Sequence, residues 1–128
     1  MANLSLTALL RLQEASSGDM AFAISPPTKS TVHGSAGNRT VRIQLTNAAG
    51  QVHEWFTGQI TLAVAKSSSA GTVALPGGTT PTMTGGTYDC VITEGGTWAA
   101  ADTNTLTLSA LTIMGKSVTG GTSVETMT

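Results

Sequence analysis

The sequence predicts an all-β protein: an antiparallel β-sandwich preceded by an N-terminal arm, extended or briefly helical. Three observations predict it. Apolar residues recur at every second position from Arg39 onward, as in RTVRIQLTN, where Val41, Ile43 and Leu45 share one face. Turn-forming clusters such as Asn47-Ala48-Ala49-Gly50, Ser67 to Gly71 and Pro76-Gly77-Gly78 punctuate these runs at roughly 8–12 residue spacing. Charged residues make up only 10% of the 128-residue chain, and Thr, Ser, Gly and Ala fill the deficit, which suits strands with polar but uncharged faces. No helical pattern lies between the strands, so βαβ units are not expected.

Residues 1–38 read as an arm. Leu6, Leu9, Leu10 and Leu12 can line one side of a short helix, with Ser5 or Thr7 as its cap. AFAIS follows, and then Pro26-Pro27, which forces an extended path. Lys29 to Asn38 is polar and turn-rich. Ordering such a segment costs about 1–2 kcal/mol per residue, and each fully buried apolar side chain returns about 1.5–3 kcal/mol. The arm holds few such side chains, so Met1 to Ile24 is expected to lie across a neighbouring molecule. Its expected partner-binding residues are Leu6, Leu9, Leu10, Leu12, Phe22 and Ile24, joined by Trp98 from the body.

Residues 39–128 form the predicted β-domain. After RTVRIQLTN, the alternation in QVHEWFTG sets Val52, Glu54 and Phe56 against His53, Trp55 and Thr57. QITLAVAK turns Ile60, Leu62 and Val64 inward. TVAL is a short strand, and the Thr-Pro stretch to Met83 is loop or edge strand. TYDCVIT points Tyr88, Cys90 and Ile92 inward. TNTLTLSALTIMG is expected to be one long strand whose phase slips at a bulge near Ser109-Ala110. The segment from Ser123 to Met127 is expected to pair on an edge or stay loose.

Candidate chemistry is sparse. Cys90 lies in phase with apolar neighbours and beside acids, which raises a thiol's pKa, so a core role is expected. One cysteine cannot form an internal disulfide and fits a reducing cytoplasm. His33 and His53 have no metal-ligand spacing and are expected to be solvated or interfacial. Asp89, Glu94 and Asp102 are the only grouping from which a hydrolase carboxylate pair could be drawn, and Asp102-Thr103-Asn104 is expected to be a turn rather than a calcium loop. The glycine pairs lack the following helix that a phosphate cradle needs. No catalytic, cofactor-binding or metal residue is therefore assigned. The net charge of −1 gives no basic field for nucleic acid or anionic membrane, and no apolar run reaches the length of a membrane helix. The opening MANLSLTALLRLQEASS lacks a basic leader and is interrupted by Arg11, so a secretion signal is not expected.

Two resemblances follow from these residues. Tyr88-Asp89-Cys90 resembles the Tyr-x-Cys of the tyrosine corner of immunoglobulin-like domains, and Trp55 resembles their core tryptophan. The missing partner cysteine leaves topology open between an Ig-like sandwich and a jelly-roll Greek key. In style, through segments such as GQITLAVAKSSSAGT and GTWAAADTNTLTLSALTIMG, the chain resembles accessory structural proteins of tailed-bacteriophage virions. That resemblance implies a non-enzymatic head decoration (cement) protein, a dimer or trimer made in the host cytoplasm, that binds the major capsid protein on the capsid surface. The alternative it leaves is a tail-tube, tail-tip or fibre module, including a carbohydrate-binding one.

Overall fold

A computed structural model describes residues 20–128. Their strands are β1 (Ala21–Ser25), β2 (Thr28–Thr31), β3 (Arg39–Thr46), β4 (Gly58–Gln59), β5 (Leu62–Lys66), β6 (Gly71–Ala74), β7 (Thr82–Met83), β8 (Thr87–Gly96), β9 (Thr103–Leu108), β10 (Leu111–Ile113), β11 (Lys116–Val118) and β12 (Gly121–Met127). One 3-10 turn, His33–Ser35, joins β2 to β3. One four-stranded sheet runs β1-β3-β8-β6 and the other runs β2-β12-β9-β5, with small two-stranded pairs β4-β7 and β10-β11. The all-β sandwich expected from the sequence is present. Its main sheets are antiparallel except where β2 runs parallel to β12.

The alternation explains the core. Val41, Ile43 and Leu45 of β3 and Cys90 and Ile92 of β8 face inward from the first sheet. Leu62 of β5 and Leu106 and Leu108 of β9 meet them from the second, and Ile60, Met83, Ile113 and Val118 close the layer. Opposite phases of the same strands are solvated: Thr40 and Arg42 on β3, Asp89 and Val91 on β8. In the lettering of immunoglobulin sandwiches, β1, β3, β5, β6, β8, β9 and β12 take the places of A to G in chain order. The sheets then read A-B-E-D and C-F-G. β2 continues strand A onto the far side of G.

The residues behind the immunoglobulin resemblance do not carry this order. Tyr88-Asp89-Cys90 lies on β8, the E position, and not near the start of F. Trp55 lies in the connection between β3 and β4, half-buried at the margin of the core. QVHEWFTG is that connection and not a strand, tied by one bridge from Thr46 to Val52.

Three further expectations are corrected. The arm over residues 1–38 gives way from Ala21: β1 pairs with β3, setting Phe22 opposite Leu45 and Ile24 opposite Ile43, and β2 pairs with β12. AFAIS is a period-two segment in its own right. The Pro26-Pro27 step, with the Ser25–Pro26 bond cis, carries the chain from one sheet to the other. Second, Ser109-Ala110 is not a bulge. β9 ends at Leu108, and β10 and β11 form a separate hairpin around Met114-Gly115, where both residues have positive φ (52° and 78°) as a tight two-residue hairpin turn requires. Third, β12 is an inner strand between β2 and β9. Polar residues in its inward phase, Ser123 and Glu125, conceal its alternation from an apolar count.

Candidate functional site

The concentrated chemistry of the described residues sits inside the sandwich, and strand periodicity places it there. Arg39 precedes Val41 by one full period on β3, and Glu94 follows Ile92 by one period on β8. Asn104 precedes Leu106 on β9, while Ser123 and Glu125 precede Met127 on β12. A polar residue in the inward phase of a sheet is carried inward with its apolar neighbours. Register brings the groups together, because Glu125 pairs with Asn104 on one side and with Lys29 of β2 on the other. Arg39 and Glu94 descend on this row from the opposite sheet.

The contacts are specific. Arg39 Nη1 donates to Ser123 Oγ at 3.1 Å, and Nη2 donates to the Asn104 and Ser123 carbonyls at 3.2 and 3.4 Å. Arg39 Nε lies 3.6 Å from Glu125 Oε1. Asn104 Nδ2 donates to Glu94 Oε2 at 2.6 Å. From β2, Thr31 Oγ1 donates to Glu125 Oε2 at 2.5 Å and Lys29 Nζ stands 3.6 Å from the same oxygen. Ser123 Oγ donates to the Pro26 carbonyl at 2.6 Å, fastening the crossover. Asn104, Ser123 and Glu125 are 0% exposed, and Glu94 only 7%.

This burial sets the charges. Desolvation, and then the hydrogen bond to Glu125, raise Glu94 to about 7, against the opposing Asn104 hydrogen bond and Arg39 charge. Desolvation also pushes Glu125 up, but hydrogen bonds from Glu94 and Thr31 and the charges of Arg39 and Lys29 outweigh it and hold this carboxyl below its usual range. Burial lowers the Arg39 guanidinium, opposed by Glu125, Glu94 and Cys90. Glu125 Oε1 and Arg39 Nε have no hydrogen-bond partner and stand 3.6 Å apart, an ion pair without a hydrogen bond. The two acids are pushed in opposite directions, as carboxyls crowded into one dry site are. An enclosed pair of this kind stores charge and joins strands. It offers no open face to a substrate.

The other residues singled out by sequence fall elsewhere. Leu6, Leu9, Leu10 and Leu12 lie outside the described residues. Phe22 and Ile24 are half-buried and pack against the core as part of β1. Trp98 is 3% exposed, its Nε1 donates to the Gly95 carbonyl at 2.9 Å, and its indole fills the space that a Cβ on Gly71 would occupy. It is a core lid and not a contact residue. Cys90 is buried as expected, and desolvation pushes its thiol up. His53 is buried, not solvated, and its Nδ1 accepts from Trp55 Nε1 at 3.2 Å. His33 is exposed, with Nδ1 2.8 Å from the Thr128 carbonyl oxygen. Asp102 caps the turn before β9, accepting from the Ala99 amide at 2.8 Å. Asp89 and Glu94, an odd number of positions apart on one strand, face opposite ways. Asp89 is on the surface, paired with Arg42 at 2.8 Å. The three acids therefore do not converge, and Glu94 does not point outward with Asp89.

Arg39, Asn104, Ser123 and Glu125 carry no functional expectation from sequence. Arg39 and Asn104 each continue the inward parity of an apolar run by one period, whereas Ser123 and Glu125 lie on a strand with no such run. Among the described residues no cluster of His, Cys, Asp and Glu could hold a metal ion, and no helix is long and apolar enough to cross a membrane. No protein-family model and no curated protein matches the chain.

Proposed function

We propose that this chain is a non-enzymatic virion structural protein of the head decoration (cement) type. It binds the major capsid protein on the outside of a phage head and assembles with copies of itself as a dimer or trimer. The observation that supports this reading is the outward face of the second sheet. On β9 the solvent phase is Thr103, Thr105 and Thr107, flanked by Thr122, Val124 and Thr126 on β12 and by Ala63 and Ala65 on β5. Three adjacent strands thus present short, uncharged side chains on one surface. Buried centres of protein interfaces are depleted of charge, and surfaces of low net charge favour association. A lattice of many weak contacts uses such a face through avidity.

A carbohydrate-binding version of the tail or fibre alternative calls for exposed aromatic rings against which a sugar can pack. Trp98 is buried and Trp55 is engaged by His53, so neither tryptophan supports it. The test places charge on the face. Thr105→Lys with Thr107→Glu leaves the inward core untouched and should abolish binding to purified heads that lack this protein, with an unchanged unfolding midpoint. Full retention of head binding by that double variant sinks the reading. Binding to purified tails and not to heads selects the alternative.

A further inference from the structure

We infer that the polar end of the sandwich is a binding site for one internal water molecule, held between the two sheets by Arg39 Nε, Asn104 Oδ1 and Glu125 Oε1. This inference does not depend on the virion reading. Most polar atoms of the buried row already have partners. Glu125 Oε2 accepts from Thr31 Oγ1 and faces Lys29 Nζ. The two Nη atoms of Arg39 donate to Ser123 Oγ and to the Ser123 and Asn104 carbonyls. Asn104 Nδ2 donates to Glu94 Oε2, which fixes the orientation of the amide and leaves its oxygen over. Arg39 Nε, Asn104 Oδ1 and Glu125 Oε1 find no partner among the described residues. Their residues are 4%, 0% and 0% exposed, so bulk solvent does not satisfy them. Buried polar atoms in native proteins are almost always paired, with protein or with ordered water.

The three side chains are mutual neighbours. Arg39 Nε stands 3.6 Å from Glu125 Oε1, too far for an N–H···O hydrogen bond and a separation at which water commonly bridges. Asn104 is the direct cross-strand partner of Glu125, and both side chains point inward, which places their Cβ atoms about 5 Å apart. Arg39 also reaches the Asn104 carbonyl. The unmatched set is one donor and two acceptors. A water molecule is its complement: it accepts from the Arg39 N–H and gives its two hydrogens to the Asn104 and Glu125 oxygens. Other ligands fit the set poorly. A metal or ammonium cation would face the Arg39 N–H. A chloride or phosphate would face two oxygens, one of them a carboxylate. An organic molecule has no open approach past side chains buried this completely. Internal waters typically make about three hydrogen bonds to groups that lack other partners. This one would tie Arg39 of the first sheet to Asn104 and Glu125 of the second.

Oxygen-17 magnetic relaxation dispersion of the full chain counts waters held for longer than the protein takes to tumble, and it responds to water oxygen rather than to side-chain hydroxyls. The parent should hold one more such water than Arg39→Met/Glu94→Met/Glu125→Met, which lacks both Arg39 Nε and Glu125 Oε1. Equal counts overturn the site. Should that variant not fold, Asn104→Leu decides: it keeps a similar shape without Oδ1 and should also lose one water, whereas an unchanged count overturns the proposal. A high-resolution crystal structure of the parent gives the position. The expected result is a solvent peak within hydrogen-bond distance of Arg39 Nε, Asn104 Oδ1 and Glu125 Oε1 together. A structure in which Arg39 Nε donates directly to Glu125 Oε1, with no solvent peak between them and Asn104, overturns the proposal equally.

Discussion

The layer between the two sheets has an apolar stretch and a polar end, and three strands build part of both. β3 contributes Val41, Ile43 and Leu45 to the first and Arg39 to the second; β8 contributes Cys90 and Ile92, then Glu94. On β9 Leu106 and Leu108 follow Asn104, whereas β12 brings Ser123 and Glu125 to the polar end, with Met127 beyond them. The apolar stretch holds the sheets by removing area from water, which is non-directional and tolerates substitution by other side chains of similar volume. The polar end holds them by matched donors and acceptors, which is directional and fails when one member is missing. Dense packing secures the fold, and the polar end fixes where the added strand β2 and the Pro26 crossover attach.

The largest effect is expected from breaking the polar end on one side only. Arg39→Ala leaves Glu125 buried without its guanidinium and frees the Ser123 and Asn104 acceptors, a loss of about 3–5 kcal/mol, read by urea denaturation. The combined replacement Arg39→Met, Glu94→Met and Glu125→Met removes every charge together. It should recover to within about 1–2 kcal/mol of the parent, since apolar groups of similar volume often replace buried ion clusters without net cost. A triple variant as unstable as Arg39→Ala would erase the distinction between the two ends.

Next comes the apolar stretch. Ile43→Ala should cost about 2–5 kcal/mol through lost burial and a residual cavity. Its cost should be the same at pH 5 and pH 8, because its cross-strand neighbour Tyr88 and the nearby Cys90 are both pushed up by burial, away from that range. A strong pH dependence of that cost would show that the two ends are energetically one unit.

How far each end was legible in the sequence follows from the same contrast. Val41-x-Ile43-x-Leu45 and Leu106-x-Leu108 announce themselves, because a period-two apolar run is the direct imprint of a half-buried strand. Arg39, Glu94, Asn104 and Glu125 sit in the same phase but are polar, and an apolar count stops one residue short of each. β12 reads from sequence as an edge or loose segment for that reason: with Ser123 and Glu125 inward, its remaining large inward residue is Met127. β2 leaves no apolar imprint whatever, since TKST docks through backbone pairing and the Glu125 carboxylate. The strand order stays open in the sequence between an Ig-like sandwich and a jelly roll, and the residues behind the first, Tyr88-Asp89-Cys90 and Trp55, occupy other places. Sequence proximity misled in the same way with Asp89 and Glu94, because neighbours at odd spacing on a strand face opposite ways.

A smaller effect separates the ends by pH. Glu94 is raised in the folded state from an ordinary value of 4.5 to about 7, so its contribution is fully present below about 4.5 and is lost as pH rises through 7. Glu125 is lowered, so its contribution is present above its unfolded value and lost as pH falls through its folded one. Between pH 5 and pH 8 the Glu94 effect dominates, and stability should decline by about 2–3 kcal/mol. In Glu94→Gln that decline should vanish from urea midpoints over the same range. A parent whose stability rises from pH 5 to pH 8 would mean the proton is not held on this pair.

The smallest effect is expected outside the layer and calibrates the rest. Arg42 and Asp89 form a two-pronged ion pair on the solvent face of β3 and β8, at 2.8 and 3.3 Å, better in geometry than the Arg39–Glu125 contact at 3.6 Å. Distance alone would rank Arg42 above Arg39. Solvent reverses the order. Exposed pairs are screened and contribute little, whereas a buried charge that loses its partner has nothing to replace it. Arg42→Ala should therefore shift the urea midpoint barely, and less still in 0.5 M salt, where the Debye length is shorter than at physiological ionic strength. If Arg42→Ala matched Arg39→Ala, burial would not be what gives the polar end its weight.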